Sequence, residues 1–139
     1  METDSPVVFD AEPLLAYLDD EPGSDEVRHV IEDIRDDRCI GFINYITLCE
    51  VTYVAERVLD ESTVREFVET LLDYGIEPVD LEEVWYPAAK YKNKFDVSLG
   101  DAVMLATAQR KQATALVGAD SDFESVPDKL VARFRTEPA

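Results

Sequence analysis

The sequence predicts a single α/β domain in which a central, mainly parallel β-sheet lies between two layers of helices. Short apolar runs rich in β-branched residues alternate along the chain with helical patterns, which is the order typical of a parallel sheet. The 139 residues suffice for one sizeable core, and no linker or internal repeat divides them. We therefore expect one domain over residues 1–139, with its core at about 6–135.

The first part of the chain predicts two strands separated by two helices. Residues 6–9 and 38–43 are short apolar runs typical of buried strands. Residues 11–18 predict a helix with proline in its first turn, where proline is tolerated. Residues 25–35 predict a second helix that Ser24 can cap. Such a strand–helix–strand order favours parallel pairing.

The middle of the chain predicts two more helices and a short edge strand. Residues 44–59 predict a helix whose apolar stripe is formed by Ile46, Cys49, Tyr53 and Val54. Residues 60–74 predict the next helix, which Gly75 ends. Residues 76–79 then predict the edge strand. After it, Asp80 and Glu83 form a capping pair for a helix that runs through Trp85 toward Tyr91.

The helix predicted over residues 99–111 is the most informative element of the chain. Residues 102–108 are small or apolar on every side, so this helix must be buried. Asp101 stands alone at its start, three residues after Ser98. This spacing also fits a capping box, which is the structural alternative for Asp101. Strands predicted over residues 113–117 and 130–134, the latter at a sheet edge, complete the fold.

The composition indicates a folded, strongly acidic protein. The net charge is −18, from 31 acidic against 13 basic residues, yet 46% of the residues are hydrophobic. This combination resembles halophilic proteins, which are adapted to high salt. Because the Debye length in ~1 M salt is only about 3 Å, the charge does not exclude nucleic-acid binding. An acidic surface that repels cationic partners is the alternative interpretation.

Several classes of site and location are excluded or disfavoured. No apolar run approaches the ~20 residues of a membrane span, and the N-terminus lacks a signal-peptide pattern, so we expect a cytoplasmic protein. The single histidine, His29, falls on a polar segment and is expected on the surface. Cys39 and Cys49 lack zinc-site spacing, and a disulfide is not expected. Carboxylate chemistry, and hence metal chemistry, is what remains.

Acidic residues recur where predicted strands end or helices begin. Asp10 follows the first strand, and Asp120 and Asp122 follow the strand over residues 113–117. Asp101 opens the buried helix, and Glu50 falls within an apolar stripe. Each has a structural alternative: a helix cap for Asp10 and Asp101, a turn for Asp120 and Asp122, and a glutamate that reaches water for Glu50.

Parallel topology brings the carboxyl ends of the strands to one edge of the sheet. We therefore expect these acids to meet there, where α/β folds place their ligands. Carboxylates gathered in this way need cations, and oxygen-only ligands suit Mg²⁺ or Mn²⁺. Such ions support phosphodiester hydrolysis by activating water and stabilising the leaving oxygen.

A local excess of positive charge follows the middle helices. Residues 86–112 contain five basic and two acidic residues, in a chain that is otherwise strongly acidic. The candidates for contacts to a nucleic-acid backbone are Lys90, Lys92, Lys94 and Arg110. Tyr91 or Phe95 can stack on a base. A solvated loop is the structural alternative.

Four short segments, at residues 7–10, 47–51, 98–102 and 116–123, resemble in order and spacing the four acidic motifs of PIN-domain ribonucleases. The most similar subgroup is that of the VapC toxins of type II toxin–antitoxin modules. The resemblance implies a Rossmann-like sheet and Mg²⁺- or Mn²⁺-dependent endoribonuclease activity. It also implies a homodimer that a cognate VapB-like antitoxin inhibits.

The resemblance assigns roles to the acids by position. Asp10, Glu50, Asp101 and Asp120 match the catalytic metal-binding acids. Asp122 matches a less regular acidic position that also contributes to the metal site, directly or through water. Two positions depart from the family pattern: Ala11 and Asn44 stand where serine or threonine is usual, which weakens support for the metal ligands.

Other functions compete with this interpretation. A PIN-like domain that binds RNA or protein without cleavage fits the fold, although all four acids are present. A haloacid-dehalogenase-type phosphatase needs aspartate where Glu12 stands, and a response-regulator receiver needs a lysine after a late strand. An acidic structural domain of a salt-adapted organism leaves Glu50 unexplained.

Overall fold

The computed structural model describes residues 5–137, and within this range five strands alternate with six helices. The strands are β1 Val7–Phe9, β2 Gly41–Asn44, β3 Glu77–Val79, β4 Thr114–Val117 and β5 Val131–Arg133. The helices are α1 Ala11–Leu18, α2 Ser24–Arg35, α3 Tyr45–Ala55, α4 Glu61–Asp73, α5 Trp85–Lys94 and α6 Leu99–Arg110.

The strands form one sheet in the order β3–β2–β1–β4–β5, and every neighbouring pair is parallel. This confirms the predicted fold class. Successive strands β1, β2 and β3 extend the sheet to one side, whereas β4 returns to pair with β1 on the other side. The strand order thus reverses between β1 and β4, which is the switch point where open α/β sheets bind ligands.

The alternation of side chains along β1 divides the core between the two faces of the sheet. Phe9 packs with Leu14 and Ile31 on the face that carries α1 and α2. Val8 packs with Met104 and Leu105 of α6 on the opposite face. Because both faces are covered, β1 is buried along its whole length.

The buried helix is confirmed. Every residue of α6 from Ala102 to Ala108 is buried, which agrees with the apolar run on all its sides. The predicted edge strands are also confirmed, since β3 and β5 lie at the two edges of the sheet. Gly75 follows α4, as predicted.

The predicted apolar face of α3 was wrong. The buried residues are Thr47, Leu48, Val51 and Ala55, whereas Cys49 and Tyr53 are exposed. Apolar side chains stand on nearly all sides of this helix, so their spacing alone does not select the face that packs. The helix also ends at Ala55 rather than at residue 59.

Two predicted caps differ in the structure. Ser24 lies inside α2, where its hydroxyl donates to Asp20, and Gly23 occupies the capping position. Asp80 makes no capping hydrogen bond, and a 3₁₀ turn at Leu81–Glu83 separates it from α5. Helix α2 thus begins one residue earlier than predicted, at Ser24, and α5 begins five residues after Asp80, at Trp85.

The structure agrees with two further predictions, which concern the cysteines and the histidine. Cys39 and Cys49 are free, and His29 is exposed. Within residues 5–137, no helix is long and apolar enough to cross a membrane.

Candidate functional site

The five acids selected from the sequence line one cavity of about 470 Å³ at the carboxyl edge of the sheet. They belong to different elements of the chain, and the cavity lies near the switch point between β1 and β4. The five are Asp10, Glu50, Asp101, Asp120 and Asp122.

Asp10 joins the end of β1 to the start of α1. Its backbone N–H donates to the carbonyl of Leu116 in β4 at 3.0 Å, which fixes it at the switch point. Its side chain makes no capping hydrogen bond to α1. The carboxylate is therefore not used as the helix cap that its sequence position allows.

Asp101 lies in the first turn of α6 and is partly buried. The Ser98 hydroxyl accepts a hydrogen bond from the Asp101 N–H at 3.1 Å and so caps the helix. The Asp101 carboxylate in turn accepts hydrogen bonds from Ser98, as a capping box predicts, and these bonds lower its pKa against the larger effect of burial. Asp101 nevertheless lines the cavity, so this capping role does not remove it from the candidate site.

Glu50 reaches the cavity from α3 and is partly buried. A Cβ atom on Gly100 would lie only 2.7 Å from Glu50 Oε1. The glycine of the Ser-Leu-Gly-Asp segment thus leaves room for the neighbouring carboxylate. Asn44 supports the same pairing of helices: its side chain caps α3 by accepting from the Ile46 N–H, and donates to Thr107 of α6.

Asp120 and Asp122 are exposed residues that follow β4: Asp120 stands at the start of a 3₁₀ turn at Ser121–Phe123, and Asp122 lies within it. The Asp120 carboxylate accepts from the Asp122 N–H at 3.0 Å. The turn that sequence reasoning offered as the structural alternative is therefore formed. Both residues nevertheless line the cavity, so a capping role does not remove them from the candidate site.

The cavity disfavours negative charge. Burial raises the pKa of Asp10 to about 8, with further contributions from the charges of Asp101 and Glu50. Burial likewise raises the pKa of Asp101 to about 6, and the charges of Asp122 and Glu50 add to the effect. The pKa of Glu50 is raised by burial as well. Within residues 5–137, no basic side chain is among the groups that shift these three pKa values.

A divalent cation fits this donor set. The five acids offer only oxygen ligands, which Mg²⁺ and Mn²⁺ prefer, and a cation would supply the missing positive charge. Within residues 5–137, however, no three acidic, histidine or cysteine side chains are already arranged around an ion position. Binding would require these side chains to turn toward the ion.

The predicted basic residues separate into two groups. Lys90 and Lys94 line a groove of about 340 Å³ together with Tyr86, Pro87, Tyr91 and Gln109. Arg110 instead lies 3.8 Å from Glu83 in an ion pair. Lys92 is exposed and does not line the groove. Sequence reasoning did not select Tyr86, whose exposed ring lies under the Lys90 ammonium group at 5.0 Å.

The model for the PIN domain family matches residues 7–129 of the chain. No curated protein matches the sequence.

Solved structures with similar folds include VapBC2 from Rickettsia felis bound to a DNA fragment from its promoter. That match has a TM-score of 0.73 and 13% identity, and it covers 91% of this chain and 97% of the other. A toxin–antitoxin complex from Klebsiella pneumoniae matches with a TM-score of 0.66, 19% identity and coverage of 87% and 92%.

PAE2754 from Pyrobaculum aerophilum also matches, with a TM-score of 0.57, 14% identity and coverage of 96% and 85%. Likenesses at such low identity establish a shared fold. The family model covers most of the chain and all of its acidic motifs. On this evidence the chain belongs to the PIN domain family, whose members are nucleases that generally use divalent metal ions.

Proposed function

We propose that this protein is an Mg²⁺- or Mn²⁺-dependent endoribonuclease that acts as the toxin of a VapBC-type toxin–antitoxin pair. One observation carries the proposal: the acids of the four motifs, brought from separate elements, line a single cavity at the switch point of the sheet. The solved structures of similar fold support the toxin role, because two of them are toxin–antitoxin complexes.

The side chains proposed to hold the metal are Asp10, Glu50, Asp101 and Asp120, with Asp122 beside them. A bound divalent ion supplies an activated water and stabilises the leaving oxygen of the phosphodiester. The chain itself holds the acids in place: Ser98 fixes the start of α6, and Gly100 admits the Glu50 carboxylate. Asn44 ties α3 to α6 and so fixes the spacing of Glu50 and Asp101.

The RNA is proposed to extend from the cavity along α5. Lys94 precedes Ser98 of the cavity by four residues, and with Lys90 it lines the groove that contains Tyr86 and Tyr91. Within residues 5–137, neither Lys90 nor Lys94 forms an ion pair with an acid, so both remain available for phosphates. The exposed ring of Tyr86 beside these cations suits stacking of a single-stranded base.

Of the four basic residues predicted from the sequence, Lys90 and Lys94 are thus the principal RNA contacts. Lys92 is exposed but does not line the groove, so it is expected to contribute only to the local potential. Arg110 is partly neutralised by Glu83, so its contribution is expected to be the smallest.

The VapB-like antitoxin is proposed to occupy the same cavity. Beside the acids, its lining includes the apolar side chains of Leu15, Leu18, Val54, Val58 and Leu59. A peptide segment that combines apolar side chains with a cation would complement both parts. The exposed Tyr53 and Trp85 offer apolar surface for a homodimer. A toxin against cellular RNA would act in the cytoplasm.

The test is cleavage of a mixed structured RNA at high KCl, with Mg²⁺ or Mn²⁺ and then with EDTA. We expect cleavage that requires the metal and is lost in Asp101→Asn, while circular dichroism shows the fold retained. An intact RNA with a folded wild-type protein, together with no rise in melting temperature on addition of metal, would contradict the proposal. That result would favour a PIN-like module that binds RNA or protein without cleaving.

A further inference from the structure

We propose that Glu12 and Arg135 are positioning residues that hold the loop carrying Asp120 and Asp122 at the metal cavity. The inference rests on the proposed function, because it concerns the geometry of the proposed metal ligands. It assigns a role to the C-terminal end of the fold, outside the residues that the family model matches.

Arg135 is the centre of the arrangement, and its side chain is only 10% exposed. Its Nη2 lies 3.0 Å and its Nε 3.1 Å from Glu12 Oε2. Its Nη1 lies 3.1 Å from Glu21 Oε1 and donates to the carbonyl of Pro22. The guanidinium thus fastens the segment after β5 to the beginning and the end of the α1 region.

Glu12 connects this ion pair to the loop after β4. Its Oε2 accepts a hydrogen bond from the Ala119 N–H at 3.3 Å, next to Asp120 in the chain. A Cβ atom on Gly118 would overlap the Glu12 carboxylate. Gly118 has no positive φ, so this glycine is needed here for space and not for an unusual backbone conformation.

Arg133 holds the same loop from β5. Its Nη1 donates to the carbonyl of Gly118 and, at 3.1 Å, to the carbonyl of Asp120. Two side chains therefore hold the loop: Glu12 accepts a hydrogen bond from its Ala119 N–H, and Arg133 donates to its carbonyls. Since Glu12 follows Asp10 by two residues, the arrangement also fixes the first acid of the cavity relative to the last.

Glu12 lines the cavity but differs from the acids proposed to bind the metal. Its Oε2 already accepts from Arg135 and Ala119, so the charge of Glu12 is compensated within the protein. Because the ion pair is largely buried, salt screens it less than an exposed pair such as Arg65–Glu61.

The test measures Mn²⁺ binding directly, from the electron paramagnetic resonance signal of the free ion, in protein first stripped with EDTA. The variants are Glu12→Ala, Gly118→Ala and the double variant, with the melting temperature in EDTA recorded for each. Partners of metal ligands typically change metal affinity by about 10–100-fold. We expect each single variant to weaken Mn²⁺ binding by about 10-fold or more.

The double variant distinguishes positioning from general destabilisation. Gly118→Ala acts by displacing Glu12, so once Glu12 is truncated the added methyl group should have no further effect. The losses of Mn²⁺ affinity should therefore not add. Arg135→Met should resemble Glu12→Ala, whereas the control Arg65→Met removes an exposed ion pair and should leave the affinity unchanged.

The outcomes separate this inference from the function on which it rests. If the wild type binds Mn²⁺ and Asp101→Asn does not, but Glu12→Ala and Gly118→Ala bind normally, the positioning role is overturned and the proposed function stands. The positioning role is also overturned if the losses of Mn²⁺ affinity in the two single variants add in the double variant, or if these losses simply parallel the fall in melting temperature. If the wild type binds no Mn²⁺, both proposals fail.

Discussion

Asp10 and Asp60 occupy equivalent positions in their local sequence but have opposite environments. Each stands immediately before a helix, with extended backbone at the capping position. Asp60 is exposed and accepts hydrogen bonds from the Thr63 N–H and from the hydroxyls of Thr63 and Ser62. Asp10 makes no comparable capping hydrogen bond, and the charged groups around it are other acids.

The pKa values of the two carboxyls express this difference. Hydrogen bonds, chiefly from Thr63, lower the pKa of Asp60 to about 2. Burial and the neighbouring acids raise the pKa of Asp10 to about 8. The folded protein therefore stabilises the charged form of the capping carboxylate Asp60. It destabilises the charged form of the candidate metal ligand Asp10. Strongly raised carboxyl pKa values in a cavity are typical of functional sites.

The largest expected effect is on catalysis, and it compares the same substitution at both positions. Asp10→Asn should reduce metal-dependent RNA cleavage by at least about 10²-fold, because it removes a proposed ligand. Asp60→Asn should leave the rate unchanged, since α4 contributes no residue to the cavity lining. Initial rates at saturating Mg²⁺ test this, and an equal loss in both variants would refute the distinction.

The second effect is on stability, and its sign is opposite to the usual one for a carboxylate. Because the pKa of Asp10 is raised in the folded protein, the unfolded chain loses this proton first as pH rises. Without metal, this group therefore lowers the free energy of unfolding progressively between about pH 4 and about pH 8. Asp10→Asn should raise the melting temperature in EDTA at neutral pH.

The difference in melting temperature between wild type and Asp10→Asn isolates this contribution from the other acids. It should be small at pH 4, should grow toward pH 8, and should shrink again when Mg²⁺ is added. A difference that does not vary with pH would show that Asp10 ionises normally. Because pH 7 lies about three units above the ordinary pKa of an aspartate and below the raised pKa of Asp10, the expected gain at neutral pH is up to about 4 kcal/mol, or on the order of ten degrees.

The sequence predicted that the five acids meet at one cavity, because parallel topology leaves little freedom in where strand ends meet. Asp10 and Asp120 follow β1 and β4, which pair directly, so their arrival at one edge follows from the order of the elements. The apolar run of residues 102–108 likewise required burial. What the sequence could not supply was the face of α3, because apolar residues nearly surround that helix.

The contacts that hold the cavity residues in place could not be predicted from the sequence either. Arg135 meets Glu12 across 123 positions, and no periodicity links residues so far apart. Gly100 and Gly118 lie within the motifs, but only the structure shows why glycine is needed there: a Cβ atom at either position would meet a neighbouring carboxylate. A glycine next to an acidic motif is a usable signal: it indicates that another side chain needs the space.

A smaller effect concerns the cap. Since the pKa of Asp60 is lowered in the folded protein, the carboxylate contributes stability above about pH 4 that is lost as pH falls toward 2. Asp60→Ala should lower the melting temperature modestly at pH 7, and the difference from wild type should disappear near pH 2. This pH dependence runs opposite to that of Asp10. A difference that persists at pH 2 would assign the role of Asp60 to packing rather than to charge.

The smallest effect compares two buried threonines on the helices that carry Glu50 and Asp101. Thr107 donates to the Val103 carbonyl and accepts from Asn44, whereas the Thr47 hydroxyl has no hydrogen-bond partner among residues 5–137. Thr47→Val should stabilise the protein by about 1 kcal/mol, because it removes an unsatisfied buried hydroxyl at nearly constant shape. Thr107→Val should destabilise it, since Asn44 then loses an acceptor. Urea unfolding of both variants in EDTA provides the measurement, and a loss of stability in Thr47→Val would show that its hydroxyl is bonded in solution.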